Sequence, residues 1–162
     1  MKLNPIMLSV LCTLVMSGCA TTRDRALSRN RELLRRAHAE VWSQGNMAIA
    51  DELYATNFVC HFIAGIEWKG LDALKTAVRQ HRESFPDWHE LIEQIVAEGD
   101  FVVTRFTSTG TQRGEFNGLP PTGQSVKISE LAVHRIANGK IAEQWGFPDV
   151  LGLNQQLGGT TK

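Results

Sequence analysis

Apolar residues recur along this chain with two different periods, and the change of period divides it. Over residues 26–44, Leu27, Leu34, Ala37, Val41 and Trp42 return at helical spacing while arginines fill the other face, which predicts an amphipathic helix. Gly45 stops it, and Asn46 is placed to cap a second short helix running through Leu53. Residues 57–62 read as a strand. Residues 71–85 predict a third helix with Leu74, Ala77, Val78, His81 and Phe85 on one face, ended by Pro86. After Pro86 the pattern changes to strands: residues 101–112 are rich in Val, Thr and Phe, residues 125–136 alternate, and residues 140–145 follow an Asn138-Gly139 hairpin turn. Residues 88–97 predict a further strand, although their mixture of charged and aliphatic side chains also suits a helix. Residues 114–123, with Pro120 and Pro121, read as a long loop.

Helices first and antiparallel strands afterwards make an α+β order, not the strict alternation that builds a parallel doubly wound sheet. The expected closure is a curved, mainly antiparallel sheet with the N-terminal helices packed on its concave face, forming a cone-shaped pocket.

The chain's beginning adds a second segment. Lys2 precedes a short apolar run over residues 6–15, and Met16, Ser17, Gly18 and Cys19 resemble the bacterial lipobox, whose cysteine becomes the lipid-bearing first residue of the mature protein. The resemblance implies a signal peptide at 1–18, a membrane partner through acyl chains on Cys19, and a short tether at 19–26. Ala20 after the cysteine implies the outer membrane of the cell envelope, facing the periplasm. The domain proper is expected over residues 27–158, with a tail at 159–162.

Charge excludes one class of partner. The 17 basic and 17 acidic residues become 16 against 17 once Lys2 is removed, and no basic stripe interleaved with aromatics suggests nucleic acid. Cys12 leaves with the signal and Cys19 carries lipid, so Cys60 is the only ordinary cysteine and no intrachain disulfide is expected. The five histidines show no HxH or HxxxH spacing and no serine sits in a GxSxG setting, which predicts no metal and no hydrolase nucleophile.

The chemistry is expected near the end. Asp149 is one carboxylate in the apolar passage from Trp145 to Leu153, where lost hydration would raise its pKa toward values useful for proton transfer. The same position, one residue after Pro148, suits a helix N-cap. The two roles are compatible.

Several segments in order resemble the SnoaL-like polyketide cyclase or ester cyclase family, within the nuclear transport factor 2-like superfamily. They are Glu40-Val41-Trp42 before Ser43-Gln44-Gly45, Asp51 to Ala55 leading to His61, Ser84 to Asp87, Ala97 to Asp100, Gly110-Thr111, the loop from Gly114 to Gly123, and the GKIAEQW and QQLG elements near the end. The resemblance implies intramolecular aldol ring closure without metal or organic cofactor, an acid/base aspartate at Asp149, and a homodimer. It also implies a hydrophobic small molecule as ligand. Fold alone does not fix reaction, and an envelope location is unusual for a biosynthetic cyclase. Two readings therefore stand: a lipid-anchored acid/base enzyme acting on a hydrophobic carbonyl compound, or a non-catalytic envelope protein that binds an apolar molecule in the same pocket.

Other residues carry paired readings. His61 stands where relatives often carry a histidine and would assist proton transfer, or is an ordinary edge histidine; Cys60 and Phe62 replace the acidic neighbours usual in relatives. His81 lies on an apolar helix face, directed to core or pocket. His134 shares strand parity with Glu130, and the pair faces either pocket or solvent. Trp145 is expected as a pocket wall, and Trp42 and Phe85 pack in the core or line the pocket.

Overall fold

Helix α1 occupies residues 22–36 and runs without a break into a π-helical stretch, Ala37–Trp42. In this computed structural model there follow α2 (Met47–Leu53), β1 (Tyr54–Phe62), β2 (Glu67–Lys69), α3 (Leu71–Ser84), β3 (His89–Glu98), β4 (Phe101–Thr111), β5 (Ser125–Ala137), β6 (Lys140–Pro148) and α4 (Val150–Gln156). The structure describes residues 22–62 and 65–158. The expected signal peptide, Cys19 and the tail at 159–162 lie outside the described residues. Residues 22–26, expected as tether, are already the first turns of α1.

Local chemistry accounts for the helix ends. Gly45 takes φ +71°, a left-handed conformation that a helix end needs and glycine adopts at little cost. The Asn46 side chain then accepts hydrogen bonds from the Ala48 and Ile49 amides, at 3.2 and 3.4 Å, and starts α2. The hairpin turn between β5 and β6 has both Asn138 and Gly139 at positive φ, 52° and 73°, as a type I′ turn requires.

The six strands form one sheet in the order β2-β1-β6-β5-β4-β3. Every neighbouring pair is antiparallel except β1 and β6, which run parallel. This is the curved α+β sheet with helices packed upon it that the order of patterns predicts. Residues 88–97 settle as strand. The strands run longer than alternation alone suggests, β1 starting at Tyr54 and β6 ending at Pro148. The three-residue strand β2 is too short to show a period.

Alternation then divides the sheet into an inner and an outer face. On β4, Val102, Thr104, Phe106 and Ser108 are buried, and on β5 so are Val126, Ile128, Ala132, His134 and Ile136. One core joins Leu34 of α1 and Val41 of the π-helical stretch to Tyr54, Phe58, Leu74, Val78 and Ile141. A second core joins Phe85 and Trp88 to Val126, Ile128, Leu153 and Leu157. A cavity opens between helices and sheet, bordered by both.

Candidate active site

The cavity has a volume of about 840 Å³, ample for a drug-sized molecule. Much of its wall is aromatic: Trp42 and Trp68 stack with ring centres 6.4 Å apart, and Phe62, Trp88, Phe106 and Phe116 add to it. Its charged lining residues are all acidic, Glu83, Glu90, Glu115 and Glu130; among the described residues no lysine or arginine lines it. An anionic ligand would therefore find no countercharge in the wall, whereas a neutral apolar one would find ring faces.

The π-helical stretch carries His38 and Trp42 to this wall. Its closure is local: the Ser43 amide and hydroxyl both donate to the His38 carbonyl, at 3.0 and 2.8 Å. The same hydroxyl accepts from the Glu90 amide at 3.0 Å, so Ser43 ties the end of α1 to β3. Between those two anchored backbones the side chains meet. His38 Nδ1 donates to Glu90 Oε2 at 2.6 Å, and both side chains are 6% exposed. Trp88 Nε1 donates to the other oxygen of Glu90 at 3.3 Å.

Three neighbouring strands complete the polar wall. Glu90 of β3 stands opposite Ser108 of β4 in the ladder, and the Ser108 hydroxyl donates to Glu130 of β5. Burial, reinforced by the nearby Glu90 carboxylate and opposed by the Ser108 hydrogen bond, pushes the Glu130 carboxyl up to about 8. A carboxyl raised in this way favours its protonated form and can donate that proton. His134 lies deeper, its ring 6.1 Å from that of His38. Burial, with His38 nearby, depresses it to about 3, so it is a neutral imidazole, and its Nδ1 has no protein partner. His81, its ring 4.4 Å from Trp88 and 5.2 Å from Phe85, is likewise pushed down by burial to about 4, with Nε2 unpartnered.

A rim loop closes one side of the cavity. The fully buried Gln112 side chain donates to the carbonyls of Gly114, Leu119 and Pro120 and accepts from the amide and hydroxyl of Thr122. Gly114 packs so tightly on the end of α3 that a Cβ there would stand 2.4 Å from the Glu83 carbonyl oxygen.

The SnoaL-like polyketide cyclase family model matches residues 32–157, which span every element of the cavity wall. The chain belongs to the SnoaL-like polyketide cyclase family. It is 30% identical over 93 residues to DnrD, the aklanonic acid methyl ester cyclase of Streptomyces peucetius, a match covering 57% of this chain. It spans 64% of that relative's length, less than two thirds. A SnoaL-like protein of Jannaschia sp. CCS1 superposes with a TM-score of 0.77 at 26% identity, over 83% of this chain and 94% of that one. IdmH of Streptomyces antibioticus superposes with a TM-score of 0.71 at 27% identity, over 80% and 98% of the two chains.

Within the SnoaL-like frame the expected site residues divide between the two faces of the sheet. Trp42, His81 and His134 line the cavity, and Glu130 shares the inner face with His134. Phe85 is fully buried behind the wall, stacked on His81. Trp145 corrects its expectation. Cross-strand pairing sets His134 opposite Gln144, so Gln144 and Gly146 face inward and Trp145 faces out. There it stacks on His61 at 5.4 Å. His61 is on that outer face too, held by Glu67 at 2.9 Å and Glu143 at 3.0 Å, and Glu143 foremost raises its pKa. Asp149 is an exposed N-cap: its Oδ1 accepts from the Gly152 amide at 2.8 Å, while Pro148 and Val150 on either side line the cavity.

Sequence reasoning missed His38 and Glu90. Their signals were faint but present: His38 falls between Leu34 and Val41 on the apolar face of α1, and Glu90 shares strand parity with Ile92. Among the described residues no group of three or more His, Cys, Asp or Glu is arranged to hold a metal ion.

Proposed function

We propose that this protein is a cofactor-independent acid/base enzyme of cyclase type, acting on a neutral, hydrophobic carbonyl compound held in the aromatic-walled cavity. The observation that carries this reading is Glu130, a carboxyl lining a cavity that offers a ligand apolar surface and bonded there by the Ser108 hydroxyl, where burial pushes its pKa up. Aldol ring closure needs a proton removed alpha to one carbonyl and a proton delivered to the alkoxide formed at another. A neutral glutamic acid suits the delivery, and the enclosing wall supplies proximity of the two carbonyl groups. Family membership and the resemblance to DnrD support the reaction class.

Asp149 remains the rival proton carrier, favoured by its place in the family's pattern and by the lining residues on either side of it. Incubation with aklanonic acid methyl ester, the compound named for DnrD, with cyclised product followed by mass spectrometry, separates the readings. Glu130→Gln is expected to lose about 10²-fold or more in turnover while retaining fold and tryptophan quenching by the ligand. Loss in Asp149→Asn with Glu130→Gln unaffected would transfer the role to Asp149. Ligand quenching without product in the unsubstituted protein would favour the non-catalytic binding protein instead.

The proposal extends to place and assembly: lipid attachment at Cys19, an outer-membrane position facing the periplasm, and a homodimer through the outer sheet face. The lipobox-like Met16 to Cys19 supports the first two, and exposed apolar side chains on the sheet support the third.

A further inference from the structure

We propose that His38 is the general base of this cavity, with Glu90 as its positioning residue and Ser43 as the clamp that fixes both. The inference rests on the acid/base reading above and assigns the other half of the proton transfer. His38 Nδ1 is committed to Glu90 at 2.6 Å. An ionised carboxylate only accepts, so this bond fixes Nδ1 as the donor and leaves Nε2 as the basic nitrogen on a ring that lines the cavity. Edge contact with Phe106 at 4.5 Å holds the ring's tilt. Trp88 Nε1 satisfies the second carboxylate oxygen.

The backbones are fixed as well as the side chains. Ser43 donates its hydroxyl to the His38 carbonyl and accepts the Glu90 amide through the same oxygen. A nucleating contact between helix end and strand would need neither a histidine nor a glutamate facing the cavity. The π-helical widening that places His38 there is a departure from α geometry of the kind concentrated at functional sites. Base and acid are thereby divided: His38 on the π-helical stretch, Glu130 on β5, one basic nitrogen and one carboxyl in the same wall.

The step balances. The substrate's C–H bond alpha to a carbonyl breaks, His38 Nε2 takes the proton, and the electron pair passes into the enolate. The enolate carbon forms a C–C bond to the second carbonyl carbon, whose π pair becomes an alkoxide. Glu130 gives that alkoxide its proton. The imidazolium of His38 then returns its proton to the Glu130 carboxylate, so neither residue gains or loses a proton over the cycle.

The first half of this sequence can be read without the natural substrate. The probe is 2-tetralone, a neutral apolar ketone; its occupancy is followed by quenching of Trp42, Trp68 and Trp88, and its alpha-carbon deuterium uptake in heavy water by NMR between pH 5 and 9. The full-length protein is expected to accelerate uptake above buffer. His38→Gln should lower the acceleration by about 10²-fold or more. Glu90→Gln should lower the rate at unchanged ketone occupancy, because the ring loses the bond that sets its tautomer, and Glu90→Asp should recover part of it. Rates in Glu90→Gln equal to those of the unsubstituted protein would mean that Glu90 serves only the fold and would overturn its role, and this variant carries the test if circular dichroism shows His38→Gln unfolded. Undiminished uptake in His38→Gln with loss in Glu130→Gln would overturn the base assignment and leave the acid/base function standing on Glu130 alone. No uptake by folded, ketone-occupied protein would overturn both.

Discussion

A glutamic acid that holds its proton to about pH 8 links stability to pH in the opposite sense to a salt-bridged surface carboxylate. Glu130 is raised above its ordinary value of 4.5, so the native state binds a proton that the unfolded chain releases. Its contribution is fully present below about pH 4.5 and is lost as pH climbs to about 8. His134 works from the other side. Its native value is depressed to about 3 from 6.5, so its contribution is present above 6.5 and is lost as pH falls toward 3. Thermal melts across pH 3–9 should therefore show Glu130→Gln flattening the alkaline decline and His134→Asn flattening the acid one. An alkaline slope unchanged in Glu130→Gln would contradict a protonated glutamic acid in the native wall. At this scale alternation shows parity without direction: Glu130 and His134 are legible as a pair on one face, but which face meets the cavity depends on pairing across strands. The Asp149 cap was legible outright, since an acidic residue after a proline and before a short apolar run needs no tertiary contact to act as one.

At the scale of elements, the long periodic segments were readable and the irregular ones were not. Helix α3 and the strands β4 and β5 have enough residues for period to outweigh noise. The π-helical stretch after α1 was hidden because widening by about one residue per turn leaves composition untouched, and its closing bonds come from Ser43, a residue outside it. Trp145 was misplaced for a related reason. Counting along β6 alone cannot show that the β5 partner of His134 is Gln144. The rim loop invites a direct test, since a single buried amide satisfies three carbonyls there. Gln112→Ala should cost about 1–3 kcal/mol by leaving buried polar groups without partners, and should loosen Phe116, so that ligand quenching weakens more than the melting temperature falls. Equal losses in both would make Gln112 a general fold residue instead of a support for the cavity rim.

For the whole molecule, the sheet's two faces have different occupations. The inner face carries cavity and core, while the outer presents Phe101 beside Trp145, and Leu131 and Phe147, which also border the cavity, stand exposed. Such a surface fits the proposed dimer, with one copy covering the other. Sedimentation of Cys19→Ala protein should give the dimer mass, and a further Phe147→Glu change should give monomer with the helical and sheet signal retained. A monomer before the second change would remove the dimer from the proposal. The same Cys19→Ala chain should escape lipid processing and leave the membrane fraction, and normal maturation would contradict the anchor. Architecture at this scale followed from the order of patterns, because helices preceding a run of strands leave few ways to bury both. The parallel join of β1 to β6 did not follow, as no local pattern reports which distant strand will be a neighbour.

That join also sets a timetable for the chain. Strand β1 lies between β2, with only three residues, and β6, which lies far along the chain from it. One edge of β1 therefore stays without a neighbour until β6 pairs with it, and contacts of such long sequence separation are slow to form. A chain cut before β6 would retain a β3-β4-β5 meander, with Ser43 still able to reach β3, but would leave that edge of β1 unpaired, so closure of the sheet waits on β6.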